Sequence, residues 1–159
     1  MPARDLAEPY PHITTEDDAI DAVRLLAERN LPALLVLDTD GHPYAAVPGS
    51  QLVRQLVPEY VMEDPLLAPV IDERHAETMA EQLEGKTVAE WLPPRTFKPP
   101  YVGPDAGTME LAAAMARTHV PLVAVVERSG DQSRLLGVVS AAGLMRHLLA
   151  AAGRTEDET

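Results

Sequence analysis

The sequence predicts an α/β fold, of the α+β kind, in which two βαββα repeats pack about a pseudo-two-fold axis. Internal repetition is the first observation behind this prediction. An offset of 89 residues places residues 30–37 on residues 119–126, and both stretches read as an apolar residue and a proline before a short β-rich run. The same offset places residues 18–27 on residues 107–116. Each copy therefore reads strand, helix, strand, hairpin turn, strand, helix.

Apolar residues at helical spacing in both copies are the second observation. The predicted buried faces are Ile20, Val23 and Ala27 in the first copy and Met109, Ala112 and Ala116 in the second. The Thr15 hydroxyl is predicted to cap the first helix at the Asp18 amide, and the second helix is predicted to begin near Asp105. One copy alone cannot bury its helices and short strands, so we expect the two copies to share a core.

The hairpin turns and the linker complete the predicted architecture. Residues 38–42 predict a tight turn with Asp-Gly at its tip, whereas residues 128–133 predict a looser one. Trp91 is expected to anchor the linker against one copy. The predicted segments are a first repeat over 1–58, a partly helical linker over 59–99, a second repeat over 100–152 and an acidic disordered tail over 153–159. Within the linker, we predict helices over 72–83 and 86–92 and an extended proline-rich strap over 93–100.

Composition restricts the class of protein. The chain has 159 residues, 46% of them apolar, and a net charge of −12. A surface this acidic repels phosphodiester backbones and anionic lipid, so neither nucleic acid nor membrane is expected as a partner. There is no cysteine, and the first residues do not resemble an export signal. We therefore expect a cytoplasmic protein.

The residues that carry catalysis in other proteins do not occur here in the required patterns. The histidines His12, His42, His75 and His147 are scattered, with no pair at metal-ligand spacing. No glycine-rich phosphate loop and no nucleophile elbow is present. Met109 and Met115 are interpreted as core residues. The sequence thus predicts a protein that is not an enzyme and that has no metal site.

The repeat resembles a tandem pair of CBS domains, the arrangement called a Bateman module, of the stand-alone two-domain type. The motifs that carry the resemblance are Leu31-Pro32 and Val120-Pro121 before a strand, residues 38–41 at the hairpin, and residues 137–140 before the last helix. The resemblance implies clefts between the repeats that bind AMP, ADP, ATP or S-adenosylmethionine as a regulatory ligand, with no cofactor required. It also implies a homodimer.

Both copies depart from the family's nucleotide-binding pattern. Members that hold adenosine nucleotides have Thr or Ser at the end of the third strand and an acid three positions later, which accepts hydrogen bonds from the ribose hydroxyls. Here the first copy has Pro48 and Gln51 at these positions. The second copy keeps the hydroxyl in Ser140 but has Gly143 in place of the acid. His119 occupies a position where basic residues meet phosphate, although it could instead simply end a helix.

The sequence is compatible with two functions. One is a regulatory module that binds an adenosyl nucleotide or a related small anionic metabolite between the repeats and signals to an unknown protein partner in trans. The other is a ligand-free dimerisation or docking module with degenerate sites, which a cleft filled by Tyr101, Leu136 or linker side chains would favour. The candidate ligand-binding residues are Val102, His119, Pro121, Val138, Ser140, Gly143, Ile13, Asn30, Pro32 and Gln51.

Overall fold

Two three-stranded sheets form the centre of the protein, which was analysed as a computed structural model. The structure describes residues 1–57, 59–70, 77, 80–92 and 99–157. In each sheet a two-residue edge strand runs parallel to the central strand, and the third strand is antiparallel to it. The strands are β1 Ile13–Thr14, β2 Ala33–Leu37 and β3 Pro43–Pro48 in the first sheet, and β4 Tyr101–Val102, β5 Leu122–Ser129 and β6 Gln132–Ser140 in the second.

The helices follow the predicted order in both repeats. They are α1 Ala3–Leu6, α2 Ala19–Arg29, α3 Gly49–Leu56, α4 Glu59–Glu63, a 3-10 helix over Pro65–Val70, α5 Val88–Trp91, α6 Thr108–Thr118 and α7 Ala141–Asp157. The βαββα order of each repeat is therefore confirmed. The short helix predicted over 86–92 is present as α5, because the Thr87 hydroxyl accepts a hydrogen bond from the Glu90 amide at 3.2 Å and caps it.

The two repeats share one core, as predicted. Successive side chains of a strand point to opposite faces, so each sheet has an inner and an outer face. The outer faces pack against the helices of their own repeats, through Leu34 and Val36 in the first and Val123 and Val125 in the second. The inner faces pack against each other through Ala33, Leu35, Leu37, Ala46, Val120, Leu122 and Val138.

The segment that precedes each repeat packs on the other repeat. Helix α1 lies on the second repeat, where the Ala3 amide donates to the Ala106 carbonyl at 2.8 Å. Helix α5 lies on the first repeat, where the Val88 amide donates to the Asp17 carbonyl at 2.9 Å. The side chains of Ala3 and Val88 are both fully buried. Trp91 packs against the same cluster as Val88, so its predicted anchoring role is confirmed.

The predicted helix faces are only partly right, since Ile20, Val23 and Ala112 are half-buried but the most buried positions differ. In α2 the buried residues are Ala19 and Ala22, whereas Ala27 is exposed. In α6 the buried residue is Leu111, and Met109 is 77% exposed rather than part of the core. Both helices are rich in alanine and carry apolar residues on two sides, so spacing alone did not select the face that the sheet covers.

The predicted helix starts are wrong. Thr15 does not cap α2, because it lies at the sheet edge, where its amide donates to the Leu37 carbonyl and its carbonyl accepts from Ala89. Helix α2 begins at Ala19, after Asp18. Helix α6 begins at Thr108 and not near Asp105, whose carboxylate instead pairs with Arg4 of the N-terminal segment.

The two hairpin turns reverse the predicted difference in tightness. Strands β5 and β6 continue to Ser129 and from Gln132, so only Gly130 and Asp131 lie between them. The first turn has Gly41 at a φ of +83°, and a Cβ there would collide with the Ser133 carbonyl oxygen. The first turn therefore touches the second repeat, and only glycine fits at its tip.

Several linker predictions concern residues that the structure describes only in part. The helix predicted over 72–83 and the strap predicted over 93–100 lie largely outside the described residues. Pro99 and Pro100 at the end of the strap are buried. Helix α7 continues to Asp157, into the segment predicted as an acidic tail.

Candidate functional site

Four of the predicted residues meet where the second repeat passes from β6 into α7. His119 ends α6, and Pro121 directly precedes β5. The Pro121 carbonyl accepts a hydrogen bond from the Ala141 amide at 2.9 Å, and Ser140 pairs with Leu122 in the sheet. Gly143 lies in the first turn of α7. We call this place, with His119, Pro121, Ser140 and Gly143, the second-repeat junction.

The polar groups of the second-repeat junction are partly used by the protein itself. The Ser140 hydroxyl oxygen accepts a hydrogen bond from the Gly143 amide at 3.0 Å and so caps α7. The Ala141 amide is bonded to Pro121. Two of the first three amides of α7 are therefore satisfied internally, while the proton of the Ser140 hydroxyl can still be donated to a ligand.

Arg146 joins this group and was not among the predicted residues. A Cβ built on Gly143 would lie 3.1 Å from the Ser140 hydroxyl oxygen and 3.7 Å from a guanidinium nitrogen of Arg146. The position at which the family resemblance leads us to expect an acid is therefore next to a cation. The signal was present in the sequence, because Arg146 follows Gly143 by three residues and helical residues three apart are neighbours.

His119 has a backbone conformation that few residues adopt. Its φ is +57°, and Asn30 at the equivalent place in the first repeat has a φ of +51°. Each ends its helix with a hydrogen bond from its amide, His119 to Met115 and Asn30 to Leu26. His119 is exposed. The helix-ending interpretation is therefore confirmed, and the imidazole is accessible from solvent at the same time.

The first-repeat junction is built in the same way but with different chemistry. The Pro32 carbonyl accepts a hydrogen bond from the Gly49 amide at 3.3 Å, and Ala33 pairs with Pro48. Gln51 lies in the first turn of α3 and is partly buried. Asn30, Pro32 and Gln51 thus come together, but Pro48 supplies no hydroxyl.

The other predicted residues lie within the sheets. Ile13 and Val138 are buried, Ile13 against the helices of the first repeat and Val138 between the two sheets. Val102 is partly buried on the edge strand β4, where it pairs with Val125. The amide of Val138 donates to the Glu8 carbonyl at 2.9 Å, so its backbone is occupied by the N-terminal segment.

Tyr10 lies between the sheets at the start of β2, and sequence reasoning missed it. Its hydroxyl donates to the Ala33 carbonyl at 2.6 Å, and its ring packs against the inter-sheet cluster. Burial of the ring raises the pKa of the Tyr10 phenol above 10.0. Tyr101, in contrast, is 55% exposed, and Leu136 packs on the helix side of its sheet. No repeat signal pointed to Tyr10, because its counterpart at the 89-residue offset is Pro99.

The described residues show neither a metal cluster nor a membrane span. No three histidine, aspartate or glutamate side chains among them are grouped to hold a metal ion. In the same part of the chain, no helix has the length and apolar character needed to cross a bilayer.

The fold defines a class of protein, a tandem pair of βαββα repeats whose two sheets pack against each other. The sequence profile of the CBS domain matches residues 92–150. The structure of a CBS domain-containing protein of unknown function from Kribbella flavida DSM 17836 is 42% identical, covers 93% of this chain and 99% of its own, and has a TM-score of 0.77. Because that identity extends over nearly all of both chains, this chain belongs to the CBS-domain family.

More distant structures share the fold. CBSX2, a CBS-pair protein from Arabidopsis thaliana, is 19% identical over 95% of this chain and 96% of its own, with a TM-score of 0.68. A structure of CBSX2 in complex with AMP is 18% identical over 95% of this chain and 98% of its own, with a TM-score of 0.63. Comparison with curated proteins gave no match.

Proposed function

We propose that this protein is a cytoplasmic regulatory CBS pair, not an enzyme, that binds a small anionic metabolite at the second-repeat junction and signals to a protein partner in trans. An adenosyl nucleotide is the ligand class that the family supports, since the related CBSX2 has been solved in complex with AMP. The phosphate of such a ligand would meet His119, Ser140 and Arg146. Ligand occupancy would then shift the population of the state that the partner recognises.

The position of Arg146 carries this proposal. Its guanidinium lies next to the position at which the family resemblance leads us to expect a ribose-binding acid, and the Ser140 hydroxyl is beside it. A guanidinium makes paired, charge-assisted hydrogen bonds to phosphate, so the junction favours the anionic end of a ligand. Gly143 has no side chain to bond the ribose, so we expect weaker selection for the sugar than in acid-bearing relatives.

The test is thermal unfolding with and without millimolar AMP, ADP, ATP or S-adenosylmethionine. A ligand that binds only the folded state adds about 2.7 kcal/mol of stability at about one hundred times its Kd. We expect a rise in Tm that Arg146→Ala abolishes. The matched control is Arg54→Ala, which removes the exposed arginine at the same position of the first repeat and should leave the rise unchanged.

His119→Asn is the second variant, because it copies the residue that holds the same left-handed conformation in the first repeat. It removes the imidazole without straining the backbone. Ser140→Ala is less suitable, because loss of the helix cap itself costs about 1 kcal/mol. No rise in Tm with any of the four compounds, or a rise that survives Arg146→Ala, would contradict the proposed site.

A ligand-free docking or dimerisation module is the second candidate, and the inter-sheet position of Tyr10 favours it. The Tyr10 hydroxyl donates a hydrogen bond to the Ala33 carbonyl at the start of β2. The ring packs against the apolar residues between the sheets. This candidate predicts no change in Tm with any nucleotide, together with a stable assembly through an exposed apolar surface. Sedimentation of the parent and of a variant of α7 measures this assembly.

A further inference from the structure

A cavity of about 480 Å³ lies at the hairpin end of the molecule. It is bounded by the first turn through Asp38 and His42, by the segment after β4, and by Arg128 and Ser133 of the second hairpin. Of the residues predicted to bind a ligand, only Val102 lines it. The cavity is therefore a different place from either junction, and its volume is in the range of small-molecule sites.

Most of the cavity wall is apolar. Its lining includes Pro43 of the first repeat and Tyr101, Val102, Pro104 and Val126 of the second. Walls of this kind favour a compact hydrocarbon or aromatic body over a strongly hydrated one. Because the wall comes from both repeats, a molecule bound here would contact both.

The polar groups of the cavity are of two kinds. The Asp38 carboxylate is already used, since one of its oxygens accepts hydrogen bonds from the Asp40 and His42 amides, both at 2.9 Å. Nδ1 of His42, however, is buried and has no hydrogen-bond partner among the described residues. Because this nitrogen has almost no accessible surface, it is not available to a molecule in the cavity.

Arg128 supplies the charge. Its side chain is exposed, and the described residues contain no ion pair that involves it. Its strand partner Ser133 adds a hydroxyl to the same wall. A cation without a counter-ion in the described residues and a hydroxyl, both beside an apolar space, are complementary to one anionic group on an apolar body.

We propose that this cavity binds a small carboxylate with a compact apolar or aromatic body. The carboxylate pairs with Arg128 and accepts a hydrogen bond from the Ser133 hydroxyl, while the body lies between Pro43, Val102 and Val126. The two hairpins already touch, because the Ser133 amide donates to the Asp40 carbonyl at 2.9 Å. A ligand here braces the contact between the repeats at the end opposite the junctions.

The test is an NMR titration of the full ¹⁵N-labelled chain with benzoate as the probe. Benzylamine and benzamide serve as cationic and neutral controls of similar shape. We expect benzoate to shift the amide signals of Val102, Gly103, Arg128 and Ser133, and to bind more tightly than either control. Arg128→Gln should weaken benzoate binding about tenfold, the usual effect of losing one charge-assisted hydrogen bond.

Arg134→Gln is the matched control. Arg134 is an exposed arginine adjacent to Ser133 on the same strand, so its side chain points to the opposite face of the sheet. It should leave benzoate binding unchanged. Absence of shifts at the cavity, equal binding of benzylamine, or equal losses with Arg128→Gln and Arg134→Gln would each overturn the proposal. None of these outcomes bears on nucleotide binding at the junction.

Discussion

Asn30 and His119 show how a single residue can connect a helix to a strand in both repeats. Each has a positive φ, which turns the chain back from the end of the helix towards the sheet. Asparagine and histidine are both found in this conformation more often than most residues. The turn therefore determines the backbone at this position, while the side chain is left free to differ between the repeats. His119 is the one that can contact an anion.

Tyr10 is the residue whose ionisation we expect to affect stability. Its pKa is raised by burial, so the folded state holds the phenol proton more tightly than the unfolded state does. The stability that this proton contributes is present below about pH 10 and is lost as the pH rises through the folded pKa. Tyr10→Phe removes this contribution, and it also leaves the Ala33 carbonyl without its hydrogen bond.

We expect Tyr10→Phe to be less stable than the parent by about 1 kcal/mol at neutral pH. The difference should shrink above about pH 10, because only the parent loses stability there. Urea unfolding at about pH 8 and about pH 10.5 measures both values. Tyr101→Phe, at a 55% exposed side chain, is the control and should change little at either pH. A difference that stays constant across this range would contradict the assigned role of Tyr10.

The two segments that contain α1 and α5 hold the repeats together. Each packs on the repeat that it does not precede, and corresponding hydrogen bonds link Ala3 to Ala106 and Val88 to Asp17. The two segments bury Ala3 and Val88 at equivalent places. The linker thus completes the core of the first repeat and is more than a connection.

Val88→Ala tests the contribution of this segment. We expect it to lower the free energy of unfolding by about 1–3 kcal/mol, because two methyl groups are removed from a fully buried site. Val53→Ala is the matched control, since Val53 on α3 is 60% exposed and its loss should stay within about 0.5 kcal/mol. Urea unfolding monitored through Trp91 measures both variants. Equal effects of the two substitutions would show that α5 is not docked in solution.

Helix α7 carries an apolar surface that packs on no other described element. Met145, Leu148 and Leu149 are 63%, 43% and 73% exposed and lie within about one turn of each other. A chain with a net charge of −12 repels other copies of itself in general, so association requires a local apolar contact. We therefore expect the homodimer that the family resemblance implies to form through this surface.

Sedimentation of the parent should give twice the 17.2 kDa mass of the chain. The double variant Met145→Glu, Leu149→Glu should sediment as a monomer, because it places like charges opposite each other across a two-fold contact. Met109→Glu is the control: Met109 is 77% exposed on α6, outside this surface, and the variant should remain a dimer. A parent that is monomeric, or a dimer that survives the double variant, would contradict this interface.

The repeat, the order of the elements and the shared core could be predicted from the amino-acid sequence. Pro32 and Pro121 are separated by the offset of the repeat because each ends a turn before a strand. Proline restricts the local backbone, so positions of this kind can be recognised in a sequence. His119, Pro121, Ser140 and Gly143 could also be named as candidates from the sequence, since these residues lie at the ends of adjacent elements. The absence of an acid at residue 143 was equally visible.

The tertiary structure alone decided which helix faces are buried, where the linker packs and what surrounds each site. Leu111 rather than Met109 enters the core because the sheet selects one of two apolar sides of an alanine-rich helix. Tyr10 lies between the sheets, and the hairpin cavity opens between Pro43 and Val126, because segments far apart in sequence meet there. Such contacts depend on the relative placement of two repeats, which spacing within either repeat does not encode.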